Sequence, residues 1–236
     1  MQFEPIKSPS LKDLFVSQLE GMILSGELAV GQKLPPERDL AEQMGVSRTV
    51  INTGIAELAS KGFIEIRPRK GVFVADYRRT GSISTLISIM NFNGGQLPRR
   101  EIHSLLELRL ALEILCLHEA IPVMTEEGLA TLRECLDRLM ACQTPAETAE
   151  GRFEFGHELD CLSGNTILPL LSHSFKRPIV SLWTEYGKRY GIELLKDHCL
   201  KRFEYIEAGD IEGAVAWTKT CLLETIDGNR PLYGTH

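Results

Sequence analysis

At 236 residues, with 43% hydrophobic and 25% charged content, the chain falls in the ordinary globular range and is long enough for two cores of unequal size. No segment offers the about 18 unbroken apolar residues of a membrane span, and the start, MQFEPIKSPSLKDLF, has no apolar stretch like a signal peptide. A soluble cytoplasmic protein is therefore expected. The net charge of −6 argues against nucleic acid only until it is divided: residues 1–79 hold 11 Lys or Arg against 10 Asp or Glu, the remainder 15 against 22. The acidity lies in the second half, and the bases that crowd at Arg67, Arg69, Lys70, Arg78 and Arg79 can meet phosphate whatever the global sign. Six cysteines (Cys116, Cys135, Cys142, Cys161, Cys199, Cys221) are scattered through the second half without a C-x-x-C pair, and read as reduced thiols.

In chain order, Leu11, Leu14, Phe15, Leu19, Met22 and Ile23 recur at spacings of three and four, one face of a helix ended by Gly26. Gly31 and Pro35 punctuate a loop, after which PERDLAEQM reads as a helix, with Pro36 near its first turn and Gly45 breaking it. SRTVINTGIAELASKG has Ser47 as N-cap, turns Val50, Ile51, Ile55 and Leu58 inward and stops at Gly62. FIEI and VFVA then flank the turn RPRKG with hairpin alternation.

Three helices and a basic-tipped hairpin predict a winged helix-turn-helix over residues 1–75. The spacing within 41–51 adds detail: small Ala41 lets two helices approach, Gly45 takes a left-handed turn, and Ile51 plugs the interhelical core. Residues 76–82 read as a linker and 83–236 as a second domain, beginning with the apolar run ISTLISIMNF that Asn93, Gly94 and Gly95 interrupt. Beyond Pro98 come helical runs at about 99–121, 125–141, 146–162, 166–190, 192–208 and 210–225, with Asp210 as an N-cap and no strand-like alternation. The fold expected is mainly α: the winged module followed by an all-α bundle of six or seven helices.

From Gly26 to Val74 the chain resembles the GntR family of bacterial regulators, carried by GQKLPPERDLAEQMGVSRTVINTGIAELASKGFIEIRPRKGVFV. The helical half resembles the FadR subfamily through LLELRLALE (105–113), SGN (163–165) and AGDIEGA (208–214). Arg48, opening the second helix of the motif beside Ser47 and Thr49, suits guanine O6 and N7, a contact that supports about 1–3 kcal/mol of discrimination. The resemblance assigns DNA contact to Arg38, Ser47, Arg48, Thr49 and the wing, here Arg69, Lys70 and Gly71. Where the family usually carries Val-Arg-Glu-Ala-Leu, this chain has Ile51, Asn52, Thr53, Gly54 and Ile55, and Asn52 suits adenine. Two cations at the hairpin tip suit minor-groove or phosphate contact.

Many members of that subfamily hold a divalent metal through one Asp and three His, and the metal helps hold a carboxylate effector. Aligned on Asn165 and Asp210, those four positions fall on Arg152, Gly156, Cys199 and Cys221, so no metal of that type and no other cofactor is expected. His157 and His198 each lie one place away, about 100° around a helix, and with Cys199 and Cys221 form the alternative, a zinc-like set. Redox sensing by the thiol pair is a further option. Arg152 supplies a positive charge where the acidic ligand would stand; with Arg109, Glu113, Asn165, Cys199 and Cys221 it makes the expected effector site. The competing expectations are that Arg109 merely pairs with Glu113 at i,i+4 and that Arg152 sits in solvent. Trp183, Tyr186, Tyr190 and Trp217 read as packing or pocket wall.

These residues predict a homodimeric transcription regulator, with repression the expected sign, that binds an inverted-repeat DNA operator and responds to a small anionic metabolite. An acyl-CoA effector is the runner-up, because WTEYGKRYG (183–191) is similar to a run in the subfamily's fatty-acid regulator. An architectural DNA-binding protein without effector is the alternative from another class. An enzyme is not expected: P-loop, G-x-S-x-G and H-E-x-x-H motifs are missing, and the chain is too short for the aminotransferase-like domain of some GntR relatives.

Overall fold

The computed structural model describes residues 9–92, 99–226 and 228–232. It divides into two compact units, Met1–Gly95 and Gln96–His236. The expected break at Asn93 to Gly95, and Pro98 after it, lie outside the described residues.

The first unit opens with α1 (Leu11–Leu24), started by a capping box in which Ser10 and Asp13 exchange hydrogen bonds. α2 (Glu37–Met44) ends at Gly45, whose φ of 63° supplies the left-handed turn that the spacing from Ala41 anticipates. α3 (Arg48–Ser60) follows, and Phe15, Val16, Leu19, Leu40, Ile51, Ile55 and Leu58 close one core between the three helices. Gly54 has a packing role: a Cβ there would stand 2.3 Å from the Phe15 ring.

The wing pairs β1 (Ile64–Arg67) with β2 (Gly71–Val74), antiparallel, from Ile64 opposite Val74 to Arg67 opposite Gly71. Residues 31–34, expected as plain loop, add a third extended segment. Gly31 N–H donates to Val74 O (2.8 Å), Val74 N–H to Gln32 O (2.9 Å) and Leu34 N–H to Val72 O (2.9 Å). The segment is too short and too Gly/Pro-bounded to show strand periodicity.

The expected linker 76–82 contains a short helix, α4 (Tyr77–Thr80), and α5 (Ile83–Phe92) belongs to the first unit rather than opening the second. Side chains tie α5 down. Thr85 Oγ1 donates to Lys61 O (2.5 Å), Ser88 Oγ to Glu20 Oε1 (2.9 Å), and Lys61 Nζ pairs with the same Glu20 oxygen (2.9 Å). Thr80 Oγ1 donates to Gly62 O (2.8 Å), so the Lys61 and Gly62 carbonyls just past α3 find their partners on this segment.

Every element of the second unit among its described residues is a helix: α6 (Arg99–Val123), α7 (Glu126–Ala141), α8 (Pro145–Leu162), α9 (Leu168–Ser174), α10 (Lys176–Tyr190), α11 (Ile192–Glu207) and α12 (Ile211–Ile226). The expected run 166–190 is two helices, because Pro178 has no N–H to bond back across Phe175. Thr125 caps α7, and a Thr144–Glu147 capping box starts α8. α8 packs against α6, α7, α9, α10 and α11, while α12 lies on α6 and α11. Leu117, Leu132, Leu136, Leu139, Phe155, Cys199 and Phe203 fill the core. Among the described residues, no helix is long and apolar enough to cross a membrane.

Candidate nucleic-acid interface and buried arginine site

Ser47 starts α3 by accepting a hydrogen bond from Val50 N–H at 3.3 Å. Fixing that turn determines which side chains face out. Ile51, Ile55 and Leu58 go into the core, leaving Arg48, Thr49 and Asn52 exposed on the opposite face, and Arg38 is exposed on α2. Four predicted residues, Ser47, Arg48, Thr49 and Asn52, therefore share the first turns of one helix whose N-terminal N–H groups favour anions.

At the wing tip, Lys70 N–H bonds back to Arg67 O at 3.0 Å, and Arg69 adopts a φ of 63°, a left-handed conformation uncommon for a residue with a side chain. Arg69, Lys70 and Gly71 are all exposed. Gly71 is fixed by backbone as well, with a φ of 114° and the Lys33 stem 2.8 Å from where a Cβ would be. Two further cations frame this tip: Arg67, one of the bases crowded there in the sequence, and Lys33, which the sequence did not single out. Lys33 lies 5.9 Å from the Phe73 ring centre, and Arg67, held by Glu65 at 2.8 Å, stacks on the same ring at 4.5 Å. Lys33 had no sequence signal, since only the pairing of 31–34 with β2 brings it there.

Inside the second unit, two arginines pair with one glutamate and the charge of a third lies near it. Arg109 on α6 forms an ion pair with Glu113 one turn on (Nε to Oε1, 2.5 Å), and Arg202 on α11 donates from Nη1 to Glu113 Oε2 at 2.6 Å. Arg152 on α8 is 2% exposed, with its guanidinium on the Trp183 face at 4.0 Å. The guanidiniums of Arg109, Arg202 and Arg152 overcome burial and hold the Glu113 carboxyl at about 2, so it is ionised at neutral pH. Burial pushes the nearby Asp160 carboxyl upward. The cluster carries more positive than negative charge.

Two hollows adjoin it. The larger, about 570 Å³ including its open mouth, has Arg109, Glu113 and Arg202 at one side and Leu105, Leu112, Phe153, Phe175 and Ile179 among its walls. The smaller, about 190 Å³ on the same basis, is lined by Glu113, Arg152, His198, Arg202, Trp217, Thr218, Cys221 and Leu222. Burial and the charges of Arg152 and Arg202 push His198 down to about 3, leaving it neutral.

Of the effector residues expected from sequence, Arg109 and Glu113 line the larger hollow, and Glu113, Arg152 and Cys221 the smaller. The i,i+4 pair between Arg109 and Glu113 is present, but Arg152 is not in solvent. Asn165 and Cys199 line neither hollow. Asn165 Oδ1 accepts from Ile167 and Leu168 N–H (both 3.0 Å) and its Nδ2 donates to Glu119 (2.8 Å), anchoring the turn into α9. Cys199, with no exposed surface, is a core residue packed among apolar side chains. Arg202 was missed; its only trace in sequence is its place three residues after Cys199, on the same helical face.

The residues at the family's metal positions do not fit a divalent ion, because the buried guanidinium of Arg152 stands where an acidic ligand is required. The alternative set is not assembled either. His157 lies beside Phe153 and His173, with Nε2 3.2 Å from Pro169 O, whereas His198 faces Trp217 at the smaller hollow. Among the described residues, no three His, Cys, Asp or Glu come together to hold a metal.

The model of the bacterial regulatory proteins of the gntR family matches residues 15–74, and the FCD domain model matches residues 104–224, more than half of the chain. The chain belongs to the GntR family. Among curated GntR relatives, the regulator Mce2R of Mycobacterium tuberculosis is 33% identical over 110 residues, 47% of this chain and 45% of that protein. The Glc operon transcriptional activator of Escherichia coli is 29% identical over 129 residues, 55% and 49% of the two chains. The fatty acid metabolism regulator protein of Shewanella pealeana is 29% identical over 161 residues, 68% of this chain and 64% of that one. The matches thus span about half the length of the first two relatives. A solved structure of Lar, which controls expression of the Listeria monocytogenes agr system, shares the fold at a TM-score of 0.65 and 17% identity, covering 94% of this chain and 97% of that one.

Proposed function

We propose that this GntR-family chain is a sequence-specific, DNA-binding transcription regulator whose operator affinity is set by an anionic metabolite held in the helical unit. The observation that carries the DNA reading is the division of α3: its inner face is the core of the module, so Arg48, Thr49 and Asn52 are left outward at a capped, electropositive helix start. Arg48 reads guanine through a bidentate pair, Asn52 reads adenine, and Arg38 and the wing cations Arg69 and Lys70 fix the phosphate backbone. The protein works in the cytoplasm as a homodimer, so the operator is an inverted repeat, and repression is the sign. Mce2R and the Glc operon activator, both named as transcriptional regulators, support the regulatory reading.

The effector acts by binding one arrangement of the DNA-reading modules better than the other; a coupling of about 1–3 kcal/mol suffices for a clear response. Its class follows from the excess of buried guanidinium over carboxylate around Glu113, which favours an anion. Selection of bound sequences from a random duplex pool, followed by footprinting, tests the reading. The expected result is one protected inverted repeat, lost with Arg48→Ala and released by an anionic metabolite. Binding without sequence preference would overturn it in favour of an architectural protein.

A further inference from the structure

Four buried side chains around the smaller hollow retain polar atoms with no hydrogen-bond partner: Arg152 Nε and Nη1, Arg202 Nε and Nη2, His198 Nδ1 and Thr218 Oγ1. Their residues are only 2%, 4%, 6% and 3% exposed. Buried polar atoms left unpaired forfeit their hydration, and four such side chains around one hollow point to a guest. Its charge follows from the pairing nearby. Glu113 Oε1 is ion-paired with Arg109 and Oε2 accepts from Arg202, which leaves Arg152 without a carboxylate partner among the described residues. Two guanidinium forks at one place suit an oxyanion with several acceptor oxygens.

The wall sets a second condition. Glu113 is ionised and lines the same hollow, where an oxyanion bearing no hydrogen would set acceptor against acceptor. The guest that meets both conditions has anionic oxygens for the arginines and a hydroxyl to donate to Glu113. Hydrogen phosphate has both; sulfate at neutral pH has no proton to give.

We propose that the hollow between α6, α8, α11 and α12 seats a protonated phosphate group, held by Arg152 and Arg202 with Thr218 and donating its hydroxyl to Glu113. This rests on the reading of the helical unit as an anion sensor. Because Glu113 and Arg202 also line the larger, apolar-walled hollow, the group is either the free hydrogen phosphate ion or the head of a phosphomonoester bound as its monoanion, which keeps one P–OH, with its body in that cleft.

Equilibrium dialysis of the full chain against radiolabelled inorganic phosphate, with sulfate and hexyl phosphate as competitors, tests the proposal. One saturable site per chain is expected, displaced by hexyl phosphate but not by equal sulfate. Arg152→Leu should weaken it about tenfold or more and the milder Thr218→Val about fivefold, with the circular dichroism spectrum unchanged. Tighter competition by hexyl phosphate than by phosphate identifies an ester head, and equal competition the free ion. Absence of saturable binding, equal competition by sulfate, or undiminished binding in both variants overturns the proposal. If phosphate fails to bind while an organic carboxylate still releases the operator, the sensor reading stands and only the phosphate seat falls; if phosphate binds but no anion alters operator affinity, the reverse holds.

Discussion

The two units carry their positive charge in opposite ways. In the first, Arg48, Arg69 and Lys70 stand in solvent on a framework with almost balanced charge; in the second, an acidic half of the chain keeps Arg152 and Arg202 in its interior. The sign of a region's net charge therefore says little about the sign of its site. The outer cations owe their direction to a cap and a turn a few residues long, whereas Arg202 reaches Glu113 across 89 positions of sequence.

The largest effect should come from breaking the inner site. Glu113→Ala leaves the guanidiniums of Arg109 and Arg202 without their shared carboxylate, beside the buried Arg152, and urea denaturation should register a loss of about 3–5 kcal/mol. In the outer unit, Gly54→Ala puts a methyl against the Phe15 ring, and the expected cost is about 1–3 kcal/mol even though alanine is the better helix former. Adding Phe15→Ala should make that cost smaller than the sum of the two, which a double-mutant cycle reads directly. Additivity would mean that the two residues do not share the space.

Arg48→Ala should leave the melting temperature unchanged while removing about 1–3 kcal/mol of discrimination at one operator base. A uniform loss across all sequences would instead reassign Arg48 to phosphate. The inner site also has a pH signature. His198 is held at about 3 against an ordinary 6.5, so as pH falls below 6.5 the unfolded chain takes up the proton first. The stability is therefore present above 6.5 and drains toward 3, at up to about 1.4 kcal/mol per pH unit from this one group. His198→Gln should flatten that slope in denaturation curves taken between these limits. Glu113 adds a loss of the same sign lower down, between 4.5 and about 2. Smallest of all, Arg69→Gly relieves a left-handed backbone and should gain about 1 kcal/mol of stability or less, while weakening DNA binding in filter assays and lowering its salt dependence.

Much of the first unit was legible because its signals are local. Ser47 as a cap, Gly45 as a left-handed turn and the inward Ile51, Ile55 and Leu58 each follow from a few neighbouring residues. The third wing segment, and with it Lys33, was hidden in a stretch with no period to count. The packing role of Gly54 left no local signal, because its partner Phe15 lies on another helix. In the second unit the helices were readable by periodicity but the site was only half so. Arg109 and Glu113 are one turn apart on α6, while Arg152 could be placed only by alignment and Arg202 by neither route. Asn165 and Cys199 kept their neighbours in sequence yet serve a turn and a core.

The hydrogen bonds from Thr80 and Thr85 to the carbonyls of Gly62 and Lys61, just past α3, with Glu20 shared between Lys61 and Ser88, splice the segment from α4 to α5 onto the end of α3. A displacement of α5 is then carried into the end of α3 and not lost between them, like the turn of a key along its shaft. Control of the operator would accordingly be exerted on where the reading head stands and not on its shape, so the base preference should be the same whether the helical unit is filled or empty.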